Sequence, residues 1–436
     1  MTVQIGIVLA TFLIFVVLIL SGKVKIDLAA MAIPIILEVT RVLEFGEAWS
    51  GLVNNSVIMM ASMFIVGAAV GKTSLLGKMS GAIIKPGASD LKIMIGITIP
   101  ILFLGNFVNG VATLSIVIPM IVGICAEQQR PVSKFIYPAC VLAHIWPGFL
   151  PTGGNAAGYL QYNAILENLG GKGTWGFFDT MINKIPIELI VIPFIILITL
   201  KMAPDLGNIP TKAEGAAADK TVADNQAKAS STTLTPAQEK FTVFVFMACV
   251  VGIVSCALLG FKTWWPATIA AFVLTASGCM SIKESRDAMT TPVIWITVGT
   301  LPLATALSKT GADTLIAEAF HKLTGNMPPV VIMISMYIVC MILTQFMSNL
   351  AVGSAFRTLA AVIAVQFGYD GRAMMLSAQE GASNAFMLPT ATPAMMMGYE
   401  AGGYKIKDFI KMGLPITILM TIIFSLYTPF MFPLVP

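Results

Sequence analysis

Apolar runs long enough to cross a hydrocarbon layer, or nearly so, recur along almost the whole chain. They fall near 3–21, 26–44, 51–71, 135–165, 182–202, 241–260, 264–281, 290–308, 373–399 and 412–433. A run of about 20 apolar residues spans a bilayer as a helix. Charged residues make up only 11% of the chain, and mean hydropathy is +0.86. Soluble domains carry roughly 25% charge, so this chain cannot cover itself in water and the bilayer is its solvent. The first run lacks a basic flank and a small-residue cleavage site, which reads as a first span and not as a cleaved signal. The sequence therefore predicts an all-α polytopic membrane protein.

Two of the runs, 135–165 and 373–399, are interrupted by Pro, Gly and small polar residues. Two further apolar stretches, 93–125 and 329–365, break near their middles, as hairpins that enter and leave the membrane on one side would. From Ala203 to Lys240 the composition changes to Ala, Lys, Asp, Thr and Ser, which marks a flexible linker. Its lysines place it in the cytoplasm. With the linker inside, Lys23, Lys25, Lys72, Lys78, Lys85, Arg130, Lys134, Lys283, Arg286, Lys405, Lys407 and Lys411 also fall inside. Fewer basic residues fall outside, as the positive-inside rule expects. Both termini then lie outside, and the membrane is the cell (inner) membrane. The net charge of +4 reports those loop lysines and not a nucleic-acid surface. The six cysteines lie in or beside apolar runs without a C-x-x-C pair, as packing residues do. Two histidines, with no His/Cys cluster, argue against a metal enzyme.

The two halves share landmarks in the same order. Val70-Gly-Lys72-Thr73 answers Leu307-Ser-Lys309-Thr310, Phe107-Val-Asn109-Gly110-Val-Ala112 answers Phe346-Met-Ser348-Asn349-Leu-Ala351, and Leu150-Pro151-Thr152 answers Leu388-Pro389-Thr390. An odd number of spans separates the two hairpins, so they face opposite sides and the repeats are inverted, as in many secondary transporters. The expected organisation is N-terminal scaffold spans over 1–50, a first inverted repeat over 51–202, the linker over 203–240 and a second inverted repeat over 241–436.

Irregular backbone survives at membrane depth only where it is buried in protein or lines a cavity. The corresponding breaks are Asn109-Gly110, 150–155, Ser348-Asn349 and 388–393. Each offers helix N-termini, which hold anions, and freed carbonyls and hydroxyls, which hold a hard cation. The alternative is a set of kinks packed by small residues. No Arg or Lys falls in these breaks, so the anion is expected on dipoles and neutral donors with a cation beside it. His144 fits a proton relay or a buried hydrogen-bonded histidine. Glu380 fits an intramembrane carboxylate or one near the outer interface; Arg357 has lipid or Glu380 as partner. Gly67 to Thr73 has one residue too few between its glycines for a phosphate loop. Met395 to Met397 reads as packing.

Ser383-Asn-Ala-Phe-Met-Leu-Pro389-Thr-Ala-Thr-Pro393, followed by Gly403-Tyr-Lys-Ile-Lys-Asp408 and Lys411-Met-Gly-Leu-Pro415, resembles the divalent anion:sodium symporter family of the ion transporter superfamily. Thr344-Gln-Phe-Met-Ser348-Asn349 resembles one of its two Ser-Asn-Thr motifs, and Ser308-Lys309-Thr310-Gly311 another landmark. The likeness runs from about Val57 to the end, the linker excepted. It implies re-entrant hairpins and broken helices, a homodimer, alternating access, and small di- or tricarboxylates as substrate, with sulfate-like anions next. It implies substrate binding at Asn109, Gly110, Thr152, Ser348, Asn349, Pro389 and Thr390. Sodium would be held at Asn109, Thr152, Asn155, Ser348, Asn349, Ala391 and Thr392. No cofactor is implied beyond the coupling sodium ion. His144 and Glu380 are the candidates for proton coupling, as in a sodium/proton antiporter or anion exchanger of the same superfamily. The chain departs from the motifs at Asn109-Gly110-Val111, Leu350 and Ala394-Met395. No nucleophile–base or metal motif of a membrane enzyme is present.

Overall fold

The computed structural model describes residues 3–21, 24–73, 87–106, 110–145, 157–171, 175–211, 214, 234–324, 327–346 and 349–435. All regular structure among them is helical. The first half contains α1 (Val3–Ser21), α2 (Ile26–Val39), the short α3 (Phe45–Ala48), α4 (Asn55–Gly71), α5 (Asp90–Leu104), α6 (Gly110–Gln128), α7 (Ile136–Ile145), α8 (Gly158–Asn168) and α9 (Asp179–Met202). The second contains α10 (Pro236–Leu259), α11 (Trp264–Ala276), α12 (Ile282–Met289), α13 (Pro292–Thr310), α14 (Ala312–Thr324), α15 (Pro329–Thr344), α16 (Asn349–Phe367), α17 (Gly371–Ser383), α18 (Pro393–Gly402) and α19 (Ile406–Met431). Among the described residues, α9, α10, α16 and α19 are each long and apolar enough to cross a membrane alone. Others, such as α4, α11 and α15, are apolar but shorter; a 16-residue helix reaches only about 24 Å.

Local signals set the helix ends. Asn54 caps α4 by accepting from the Ser56 amide at 2.9 Å. Thr235 and Gln238 form a capping box that starts α10 at Pro236, five positions before the apolar run suggests. Reciprocal caps of this kind satisfy amides that have no intrahelical partner. Ser281 and Glu284 do the same for α12, a short polar helix that hydropathy does not reveal. The expected flexible linker also differs at its start. Ser133 Oγ donates to the Pro204 carbonyl at 2.8 Å, and Asn208 Nδ2 donates to the Gly402 carbonyl at 3.0 Å. Residues 204–208 are therefore tied down beside α7 and α18 by hydrogen bonds that composition cannot display.

Packing follows the same pattern in the two halves. Helix α2 lies on α13 and α11 on α4; α5 and α6 lie on α7, and α15 and α16 on α17; α9 and α19 pack on each other. The α2–α13 crossing depends on Gly299. A Cβ there would sit 2.2 Å from the Ala30 carbonyl oxygen, closer than any real contact.

Among the described residues four ion pairs join the halves, and two of them mirror each other. Lys72, at the end of α4, places Nζ 3.0 Å from Glu284 Oε1 on α12 and 3.1 Å from the Cys279 carbonyl. Lys309, in the last turn of α13, places Nζ 2.7 Å from Glu47 Oε2 on α3. Lys72 follows Glu47 by 25 positions, and Lys309 follows Glu284 by the same 25. The Lys309 ammonium, with the Glu44 amide, holds the Glu47 carboxyl below its ordinary range.

Candidate functional site

Helix α17 ends at Ser383, and regular helix resumes only at Pro393. Leu388 and Thr392 are extended, with a 3-10 turn over Pro389–Ala391 between them. Pro393 opens α18 where its missing N–H costs nothing. Pro389 and Ala391 are buried, Thr392 is half-buried and Thr390 is exposed. Thr392 Oγ1 accepts from the Met395 amide at 3.1 Å, so this expected sodium ligand also serves as the N-cap of α18.

The end of α15 and the start of α16 are fastened to this break. Gln345 Nε2 donates to the Asn384 carbonyl at 2.7 Å, and its Oε1 accepts from the Met387 amide at 3.2 Å. Thr344 Oγ1 lies 2.7 Å from both the Ala382 carbonyl and Asn349 Oδ1. Asn384 Nδ2 donates to Tyr337 Oη at 2.9 Å, while Asn384 Oδ1 and Thr417 Oγ1 are enclosed without a hydrogen-bond partner. Buried acceptors are normally satisfied, so these two oxygens stand out.

The first half meets the same place. Asn349 Nδ2 lies 2.7 Å from His144 Nε2, which makes that nitrogen the acceptor. The His144 ring also hydrogen-bonds the backbone of Ser383 and stands edge-on to Phe386 at 5.8 Å. Tyr137 Oη on α7 donates to the Phe386 carbonyl at 2.8 Å. Gly110 begins α6 against Ala143 and Ala394: a Cβ on it would lie 3.1 Å from the Ala143 carbonyl and 3.8 Å from Ala394 Cβ. Gly110, His144, Asn349 and the break at 384–393 are thus brought together. Asn109, Thr152, Asn155 and Ser348 lie outside the described residues.

Tertiary packing brings a lysine beside this junction. Lys184 on α9 donates to the carbonyl of Ile145, the last residue of α7, at 3.3 Å, and lies 3.7 Å from Glu380 Oε1. Glu188, one turn further along α9, lines the same small cavity with Tyr337 and Phe424. Lys184, Glu188 and Glu380 are 7%, 3% and 8% exposed, which places Glu380 inside the protein. Glu188 Oε2 has no hydrogen-bond partner. Among the described residues Arg357 does not pair with Glu380. Its guanidinium donates to Gln161 Oε1 at 3.2 Å and to Gln379 Oε1, over the ring of Tyr162.

Sequence reasoning missed Gln345, Asn384, Lys184 and Glu188. Two signals were available. Ser383-Asn384 repeats the Ser348-Asn349 dipeptide, and Lys184 and Glu188 stand four apart in an apolar run, a spacing that puts both on one helix face. Nothing in the sequence announced Gln345.

Two solved transporters share this class of helical membrane-transporter fold. YdaH of Alcanivorax borkumensis aligns over 87% of this chain and 86% of its own at a TM-score of 0.61 and 14% identity. MtrF of Neisseria gonorrhoeae, which illuminates a class of antimetabolite efflux pumps, aligns over 100% and 96% at 0.60 and 13%. The citrate transporter (CitMHS) model matches residues 16–379, and the chain belongs to that family. It is an integral, multi-pass membrane protein of a transporter family, not an enzyme family. Relatives include an uncharacterized transporter of Synechocystis, 28% identical over 181 residues, 42% of this chain and 29% of that one. A probable sodium/sulfate cotransporter of Chlamydomonas reinhardtii is 26% identical over 37% of this chain and 18% of its own. Human Na(+)/dicarboxylate cotransporter 3 is 26% identical over 33% and 24%. The matches thus span less than a third of these relatives' lengths. The names of the last two agree with the resemblance to divalent anion:sodium symporters.

Proposed function

We propose that this protein is a secondary active carrier for small di- and tricarboxylates, driven by sodium and working by alternating access. The observation that carries the reading is the junction of Asn349, His144 and the 384–393 break. There Asn349, at the start of α16, is hydrogen-bonded to His144 on α7 and to Thr344, while Gln345, just after α15, bonds the broken backbone after α17. The substrate carboxylates sit among Asn109, Gly110, Thr152, Ser348, Asn349, Pro389 and Thr390. Sodium is held by Asn109, Thr152, Asn155, Ser348, Asn349, Ala391 and Thr392. The unpartnered oxygens of Asn384 and Thr417 add acceptors of the kind a hard cation uses.

The matched packing in the two halves supports a pair of inverted repeats. Helices α1 and α2, with their counterparts α10 and α11, form a fixed scaffold, and the hairpins and broken helices move the substrate past it. The working unit is a homodimer in the cell (inner) membrane, with the 203–240 linker cytoplasmic and both termini outside. A second reading, proton in place of sodium, rests on Glu188 Oε2, an unpartnered oxygen beside the Lys184–Glu380 pair.

The test is thermal stability of the purified protein against citrate, succinate and sulfate, each with sodium or choline, at two pH values. A ligand at 100 times its Kd stabilises the folded state by about 2.7 kcal/mol. Stabilisation by a polycarboxylate that requires sodium supports the first reading. Stabilisation independent of sodium, strengthened in acid and made independent of pH by Glu188→Gln, supports the second. No shift with any anion rejects both.

A further inference from the structure

Arg357 is a guanidinium in the middle of α16, a helix apolar and long enough to cross the membrane. Of its five N–H donors, two have acceptors in the structure, and both acceptors are neutral amides: Gln161 Oε1 from α8 and Gln379 Oε1 from α17. Its Nε is enclosed and has no hydrogen-bond partner. Its charge center stands 5.0 Å from the Tyr162 ring centroid. Among the described residues none of the ion pairs includes Arg357. A cation in the membrane held by neutral groups alone is electrostatically incomplete, because intramembrane charge is costly until paired. The residue is half-buried and is not sealed in the core.

The position of the guanidinium decides what completes it. Long side chains on a helix lean back toward its N-terminus. Accordingly, a Cβ on Gly353 would lie 3.7 Å from Arg357 Nη2 and 3.4 Å from Gln379 Oε1. The guanidinium therefore lies over Gly353, one turn from Asn349, about 6 Å along the helix axis. The terminal carboxylates of citrate and tricarballylate, three carbons apart, reach across that gap better than the two-carbon chain of succinate does. The surroundings also fix the fork in place. Gln161 Nε2 donates to Thr297 Oγ1 on α13 at 3.2 Å, and Ser383 Oγ donates to the Gln379 carbonyl at 2.9 Å. A planar guanidinium with spare donors matches a carboxylate in two-point contact.

The geometry points to Arg357, positioned by Gln161 and Gln379, as a second carboxylate subsite that receives the additional carboxylate of a tricarboxylate whose other end lies at Asn349. This rests on the carboxylate-carrier reading above and gives that reading a means of selecting substrates by charge. Removal of the guanidinium lowers affinity for a trianion far more than for a dianion.

The experiment is calorimetric titration of the purified protein in zwitterionic nanodiscs, with citrate, tricarballylate and succinate, for wild type, Arg357→Gln and Arg357→Lys. The expected result in Arg357→Gln is a fall of about 10- to 100-fold in the ratio of citrate to succinate affinity, with tricarballylate following citrate. Arg357→Lys, which keeps the charge without the fork, falls in between. Where Arg357→Gln does not survive purification, Arg357→Lys alone carries the same comparison. Equal weakening of all three anions would make Arg357 a structural clamp between α8, α16 and α17, and an unchanged ratio would also overturn the proposal. A change seen only after phosphatidylglycerol is added would assign the guanidinium to lipid phosphate instead. Wild-type protein that binds none of the three anions rejects the carboxylate carrier itself, a failure distinct from that of the subsite.

Discussion

At the scale of single residues, Lys184 joins two parts of the described site. It closes the end of α7 through the Ile145 carbonyl and neutralises Glu380, with both side chains about nine-tenths buried. Removing one partner of a buried pair leaves an uncompensated charge, which costs about 3–5 kcal/mol. Lys184→Met is therefore expected to lower the melting temperature sharply, and Lys184→Met with Glu380→Gln to recover much of the loss. Denaturation of the single and double variants in one detergent checks this; equal melting points for all three proteins would refute it. The same residue shows why part of the site was hard to read. Lys184 and Glu380 are nearly 200 positions apart, and only the contact of α9 and α17 with the end of α7 makes them neighbours.

Among the elements, α2 and α13 meet at a close crossing. Gly299 on α13 lets the helix come against the Ala30 carbonyl, and Gly51 comes as close to Val298. Gly299→Ala has no free space to fill and must push the helices apart. Overpacking of this kind costs about 1–3 kcal/mol. The expected outcome is a melting point below wild type; a Gly299→Ala protein as stable as wild type would mean the helices already sit further apart. The apolar runs at 26–44 and 290–308 announced both helices, since periodicity and length are written locally. That these two helices are partners was not announced, because neither run carries a mark of its neighbour. Helices α3, α12 and α14 escaped for another reason: they are short or polar and bury little surface, although Ser281 and Glu284 carry a legible capping box.

For the molecule as a whole, the mirrored Lys72–Glu284 and Lys309–Glu47 ion pairs help tie each half to the other, and they respond differently to solvent. Lys72 and Glu284 are 2% and 15% exposed at their side chains, against 46% and 37% for Lys309 and Glu47. The exposed pair is worth about 0.2–1 kcal/mol. Because Lys309 holds the Glu47 carboxyl below its ordinary value, the native protein binds fewer protons there than the unfolded chain. The contribution is therefore present above the ordinary carboxyl pKa of about 4.3 and is lost as pH falls through the lowered value. Glu47→Gln should reduce stability slightly at pH 7 and not at all in strong acid. Unfolding curves of both proteins across that window test the sign; a deficit that grows in acid would contradict it.

The sequence by itself determined the solvent, the class of fold and the place of the break at 388–393. Hydropathy acts over one helix length, and a Pro or a Ser-Asn pair disrupts its own turn wherever the rest of the chain lies. Leu388-Pro389-Thr390 was legible as a break, and the structure has extended backbone and a short 3-10 turn there. What only the tertiary structure decided is which groups face the breaks. His144 reached Asn349, Gln345 reached Asn384, and Lys184 reached Ile145 and Glu380 because helices from both halves pack around one junction. Charges and amides distant in sequence become partners there. In an apolar interior each buried polar group must find a partner, and the sequence lists the groups without saying how they are matched.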